Sequence, residues 1–339
     1  MGFRILHAAA LLLTALNITL NGAATAPSPV ARNFSLEYKA VVNAVPSGAT
    51  RLELWLPVPH NDPFQTITNL TIDSPYPYTE STDSAGNLML HVAVDNPGQS
   101  VPRSPWNIVT MRLNATRIEH LQPALFGGPK PDHEESTAEL ARYLRPDRLV
   151  PLDDNIRRMA REVVEQANAR TDLEMARAIY NHVVATVKYD KTGKGWGRGD
   201  IYYACEARRG NCTDFHAIFI GFARALGIPA RFSIGLPLPA TRGQGKIAGY
   251  HCWAEFYAKG IGWIPIDASE AAKNPAKREY FFGAHDENRI EFTRGRDLVL
   301  SPPQSDEPLN YFIHPYAEVD GKAFAGVVED VTFQDAQPQ

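Results

Sequence analysis

The sequence holds three cysteines, Cys205, Cys212 and Cys252. One of them stands where a thiol becomes a nucleophile. Cys212 lies in "GNCTDFH" (Gly210 to His216), at the start of a run in which Phe215, Ile218, Phe219, Phe222 and Leu226 recur with helical spacing. A thiol at the mouth of a helix meets unpaired amides and a partial positive charge, which favour the thiolate. Gly210 permits a tight turn just before it. A buried packing cysteine is the plain alternative, so the assignment needs a base and a group to orient that base.

A second stretch supplies both. Tyr250–Tyr257 and Trp263–Asp267 read as two strands joined at "AKGIG". With the turn centred on Lys259, His251 is expected directly opposite Asp267, on one face and about 5 Å away. A carboxylate there fixes the imidazole tautomer and supports the imidazolium. The same period of two turns Cys252 to the other face, as a core thiol or as half of a disulfide with Cys205. Cys212, His251 and Asp267 then make a nucleophile, base and orienting group for acyl transfer through a thioester.

Other residues draw plainer expectations. Asp214 supports the helix N-terminus as an early acid. His216 shares a helix face with Cys212, but stacking along a helix gives a base poor geometry. His285 and His314 have no aligned partner. Cys205, Cys212, His216, His251 and Cys252 form a rival zinc set that lacks CxxC or HxxxH spacing. No metal or cofactor is expected.

These residues need elements to hold them. From Asn33 to about His120 apolar residues alternate, as in Phe34, Leu36, Tyr38, Ala40 and Val42, with Pro, Gly, Asn and Asp between the runs. That pattern predicts a small antiparallel β-sandwich over 33–120. "PALFGGPKPDHEES" predicts a linker, placed over 121–135. Capping boxes at Ser136-x-x-Glu139 and Thr171-x-x-Glu174 open a helical stretch. A strand at Ala230–Leu236, the hairpin, and a strand-like tail from Tyr311 to Phe333 with a turn at Asp320-Gly321 complete 136–339. The tail is expected as a β-rich extension of this catalytic part. Helices followed by an antiparallel sheet give an α+β fold. The loop from Thr241 to Gly249, rich in glycine, is expected to be mobile, over the cleft or simply between strands.

The N-terminus reads as a secretory signal peptide over 1–26: Arg4, an apolar stretch from Ile5 to Leu20, and Ala24-Thr25-Ala26 for cleavage after Ala26. The mature protein is expected to be secreted or periplasmic, with no stable membrane insertion. The formal charge of −4 on 339 residues gives no reason to expect nucleic acid.

The stretches "GNCTDFHAIFIGFARALGIPARF", "GYHCWAEFY" and "GWIPIDASEA" resemble the core of the transglutaminase-like superfamily, whose fold is papain-like. The similarity is specific from about Thr171 to Ala272. It extends through "YFFGAHDENRIEFTRGRDL", which is similar to a tail of exported bacterial members. The resemblance implies the same Cys212, His251 and Asp267 as nucleophile, base and orienter. It also implies a second oxyanion donor upstream, for which Trp196, Tyr202 and Tyr203 are candidates beside packing aromatics, the first donor being the Cys212 amide. Peptide or protein substrates with an amide or glutamine group follow, with water or a lysine amine as acceptor. A non-catalytic binding module on the same fold is the rival reading.

Overall fold

The computed structural model describes residues 28–97, 107–130 and 134–337. The expected signal segment lies outside them. The main elements begin with strands β1 (Ala31–Val42), β2 (Arg51–Val58), β3 (Gln65–Asp73), β4 (Tyr78–Thr82), β5 (Leu88–Asp95) and β6 (Ile108–Ile118). Helices α1 (Asp154–Gln166), α2 (Asp172–Thr186), α3 (Ile201–Ala207) and α4 (Cys212–Ala225) follow. Next come β7 (Ala230–Pro237), β8 (Gln244–Lys246), β9 (His251–Ala258), β10 (Gly262–Ile266) and the short helix α5 (Ala268–Lys273). The last are β11 (Arg289–Arg294), β12 (Tyr316–Val319), β13 (Lys322–Ala323) and β14 (Val327–Asp335).

Two five-stranded sheets form the sandwich, in the orders β8-β14-β1-β6-β3 and β13-β12-β2-β5-β4. Alternation in β1 buries Phe34, Leu36, Tyr38, Ala40 and Val42 between them. A four-stranded antiparallel sheet, β10-β9-β7-β11, forms a second layer and carries His251 on β9. The fold is α+β, with sandwich strands β1–β6 preceding helices packed on the four-stranded sheet.

The tail departs from expectation. β14 pairs with β1 from Phe34↔Asp335 to Val42↔Val327, and β12 pairs with β2. The strand-like tail therefore completes the sandwich instead of extending the catalytic part. β1 and β2 would otherwise present open edges, and an unpaired ladder is costly to leave in a sheet. The expected turn at Asp320-Gly321 joins β12 to β13, both residues having positive φ. Residues 244–246, expected as a mobile loop, pair with β14 as strand β8. Part of the expected linker is also pinned: the Gln122 amide donates to Gly283 O, and its side-chain Nε2 donates to Trp263 O.

Helix α4 is buried along its length, from Cys212 to Arg224. The expected one-sided stripe gives way to a central helix, covered by β7 and β9 on one side and by α1, α2 and α3 elsewhere. It ends where Gly227 takes a left-handed φ of 84°. Both expected capping boxes form. Among the described residues no helix is long and apolar enough to cross a membrane.

Candidate active site

Cys212 is the first residue of α4. Its amide has no intrahelical acceptor and points out of the helix mouth. Asn211 caps the helix by accepting from the Thr213 amide at 3.0 Å. Asp214 closes the box by accepting from the Asn211 amide at 2.9 Å. Gly210 has a packing reason beyond its turn: a Cβ there would lie 2.1 Å from Asp214 Oδ2.

β9 delivers His251, and α5 begins directly after β10 with Asp267 as its cap. The two side chains meet, with His251 Nε2 2.7 Å from Asp267 Oδ2. The register differs from expectation by two residues: Ala254 pairs with Ile266 and Ala258 with Gly262. The turn centres on Gly260, at φ 74°, instead of Lys259. A shift of two preserves the face of every side chain, so the imidazole reaches the carboxylate diagonally. With Nε2 held by Asp267, Nδ1 is the ring nitrogen left to exchange a proton with Cys212.

Asp267 is fully buried and well held. Its Oδ2 also accepts from Arg289 Nη1 at 3.0 Å, while Oδ1 accepts from Ser269 Oγ at 3.0 Å and the Glu270 amide at 2.9 Å. Burial would raise its carboxyl, but His251 and Arg289 hold it well below the carboxylate range. Burial would equally discourage a charged His251; the Asp267 carboxylate reverses this and lifts the imidazolium to about 10. The Cys212 thiol, which burial alone would raise, is held well below its ordinary value by hydrogen bonds from Cys252 and His251 and by the imidazolium charge. Both shifts favour the thiolate–imidazolium form of the pair.

Cys252 is fully buried, a core thiol and not half of a disulfide, with Sγ 3.6 Å from His216 Nδ1 on α4. Burial and the neighbouring Cys212 push its thiol up, so it stays protonated beside the nucleophile. All three cysteines are free, and burial pushes the Cys205 thiol up to about 12. His216 lies behind Asp267, with Nε2 3.7 Å from Oδ1. Burial pushes it down to about 4, which keeps it neutral. His285 Nε2 donates to Ile266 O at 3.0 Å, and His314 Nδ1 meets Glu329 Oε1 at 2.9 Å. Among the described residues no group of three His, Cys, Asp or Glu side chains is arranged to hold a metal ion.

Asp214 does more than support the helix. Its carboxylate accepts from the amides of Gly197 at 2.7 Å and Gly199 at 3.1 Å. From the other side Arg296 donates to Gly199 O and Arg198 O, both at 2.9 Å, and Tyr311 donates to Gly197 O at 3.2 Å. Tyr250 joins this loop to the helix mouth, with its hydroxyl 2.9 Å from Asn211 Nδ2 and 3.1 Å from Thr213 Oγ1. Trp196 rides on the clamped loop, half-buried. Tyr202 does not belong here: it is 40% exposed and its hydroxyl donates to Asp153 at the start of α1. The Tyr203 ring lies against Gly195, and its hydroxyl is buried without a hydrogen bond among the described residues. Arg289, Tyr250 and Arg296 were not legible as site residues, since nothing in their spacing ties them to the triad.

Residues 157–268 match the model of the Transglutaminase-like superfamily. The chain is 26% identical over 322 residues to an uncharacterized protein of Haemophilus influenzae (strain Rd), covering 85% of each. Among solved structures it resembles a candidate cysteine protease from Cytophaga hutchinsonii with a TM-score of 0.59 and 16% identity, over 91% of this chain and 92% of that one. The periplasmic domain of TgpA from Pseudomonas aeruginosa aligns over 71% of this chain and 92% of its own, at 14% identity and a TM-score of 0.38.

Proposed function

We propose, from the transglutaminase-like core of residues 157–268, that this protein is an exported thiol enzyme that transfers acyl groups from peptide or amide substrates. One observation supports the reading: His251 is hydrogen-bonded to the buried Asp267, which Arg289 also holds, while Cys212 at a helix mouth is near enough for its thiol and the imidazole to shift one another. The Cys212 thiolate attacks the carbonyl carbon, and the carbonyl π electrons move onto oxygen. The Cys212 amide faces that oxyanion, and the Trp196 indole N–H is the candidate second donor. The imidazolium of His251 then protonates the departing amine, leaving an acyl thioester. Neutral His251 takes a proton from the acceptor, water or a primary amine, and the thioester breaks.

Peptides or proteins are the partners, met outside the cytoplasm after removal of residues 1–26. The deciding experiment is mass spectrometry of a γ-glutamyl donor peptide and a peptide library, incubated with enzyme and excess primary amine, with Cys212→Ala alongside. Amine uptake by the donor, lost in the variant, assigns transamidation. Cysteine-dependent cleavage or deamidation without uptake assigns hydrolysis. Turnover that survives Cys212→Ala overturns the reading.

A further inference from the structure

The stretch from Lys188 to Arg209, which runs directly into Cys212, holds six lysines and arginines against three acids, on a chain of formal charge −4. Two of the acids are occupied locally. Asp190 accepts from the Thr192 amide at 2.9 Å and from its hydroxyl at 2.7 Å, and Asp200 caps α3 through the Tyr202 amide at 3.0 Å. The cations are not. Lys188, Lys191, Lys194 and Arg209 are exposed, and none makes a direct ion pair with a carboxylate among the described residues. Lys188 and Arg209 act on Asp190 only at a distance.

Backbone pairing fixes where these charges stand. Lys188 and Tyr189 pair in parallel with Arg209 and Gly210, and the Asp190 amide donates to Gly210 O at 3.0 Å. Lys188 therefore stands opposite Arg209, a like-charge pairing that destabilises a sheet. Arg208 ends α3 at φ 49°, where Gly or Asn is less strained. The Arg209 guanidinium lies against the next loop: a Cβ at Gly193 would meet its Nη2 at 3.4 Å. The Tyr189 ring is 6.1 Å from that of Phe215 on α4, and the Lys191 ammonium is 5.8 Å from its centroid. The Lys273 ammonium is 4.7 Å from the same centroid and pairs with Glu270, which lies 3.8 Å from His251 Nε2. Arg209 is three residues from Cys212, at most about 11 Å along the backbone. That is about one Debye length at 0.1 M salt, so the charges are felt at the thiolate. The thiolate does not require them, since Cys252 and His251 already hold the thiol down. A strained cap and a like-charge pair leave this wall matched to something outside the fold.

We propose that the site takes an acidic peptide, whose carboxylates face Lys188, Lys191, Lys194 and Arg209 while its amide carbonyl meets Cys212. This names a substrate class for the acyl-transfer reading and rests on it. A basic wall beside a thiol nucleophile calls for a carboxylate and an amide in one molecule, which favours a peptide over a nucleic acid. The attraction is long-ranged, so it raises the local concentration and the on-rate of such a substrate more than it fixes one pose.

Two readouts on the full-length mature protein test this, and the first needs no substrate. The thiols of Cys205 and Cys252 are pushed up, so alkylation at neutral pH reads Cys212. Iodoacetate carries a negative charge that iodoacetamide lacks. Their rate ratio at Cys212, followed by mass spectrometry, should fall about fivefold to tenfold when Lys188→Gln, Lys191→Gln, Lys194→Gln and Arg209→Gln are combined. On the parent protein it should also fall between about 0.01 M and 1 M salt, which decides the matter if the combined variant misfolds. The second readout compares kcat/KM for paired peptides with Asp or Ser beside the reactive amide. The Asp peptides should lead by at least about tenfold, and that lead should collapse in the combined variant. An unchanged alkylation ratio, or Ser peptides turned over as fast as Asp peptides, overturns the proposal. Tighter binding of an RNA oligonucleotide than of an Asp peptide by Cys212→Ala overturns it in favour of nucleic acid. Absence of turnover with every peptide counts against the acyl-transfer reading instead, and the alkylation ratio then judges the basic wall alone.

Discussion

His251 Nε2 lies 2.7 Å from Asp267 Oδ2, yet the two residues are not cross-strand partners. Asp267 stands one residue beyond the last paired residue of β10, at the cap of α5, and Arg289 approaches it from β11. The orienting carboxylate is thus fixed by a helix start and a second strand, not by the hairpin alone. Asp267→Asn keeps the size of the group and removes its charge. It should lower kcat by about 10³- to 10⁴-fold. It should also move the thiolate's onset of alkylation by iodoacetamide to higher pH, which stopped-flow rates across a pH series will show. An unchanged alkylation profile would separate Asp267 from the thiolate.

The same contact predicts a stability profile. Asp267 is depressed in the folded protein, so its contribution is present above an unfolded carboxyl pKa of about 3.9 and is lost as pH falls through the folded value. His251 is raised to about 10, so its contribution is complete below an unfolded value of about 6.5 and fades as pH rises to about 10. The difference in melting temperature between the native protein and Asp267→Asn should peak between about pH 4 and 6.5. It should shrink steadily towards pH 10. A difference that grows with alkalinity contradicts the assignment.

Gly210→Ala would drive a methyl group into the Asp214 carboxylate, which three backbone amides hold in place. It should cost about 1–3 kcal/mol, read as a lower midpoint in urea, with a fall in kcat as the helix mouth shifts. Asp214→Asn tests the loop itself. With the charge gone, the clamp on Gly197 and Gly199 weakens, and kcat should fall more than KM rises.

The aromatic candidates should divide. Tyr202→Phe removes only a surface hydrogen bond to Asp153 and should leave kcat/KM within about twofold. Trp196→Phe keeps the bulk on the clamped loop and removes the indole N–H. A fall of about 10²-fold in kcat with little change in KM is expected for an oxyanion donor. Equal activity of the two variants would return Trp196 to packing.

Much of this site can be read from one dimension because its logic is local. Cys212 needs only a helix start, and the contact of His251 with Asp267 tolerates an error of two in register, because faces repeat every second residue. What escaped is non-local. Arg289 reaches Asp267 from 22 positions away, and Arg296 reaches Gly199 from 97. Neither carries a periodic signal. The tail misled for a related reason. Alternation marks Val327–Asp335 as a strand but says nothing about its neighbour, and β1 lies almost 300 residues earlier.

β14 lies between β1 and β8, and β8 leads within five residues to His251. β1 comes early in the chain and β14 late, so that edge of β1 is matched only once the C-terminal residues are in place. The strand that anchors the histidine loop has nothing to pair with until that late segment emerges. The ladder in front of the candidate site is therefore complete only once the C-terminal residues have docked. A chain interrupted before Val327 holds every residue of the triad and lacks the ladder that sets the loop in front of it.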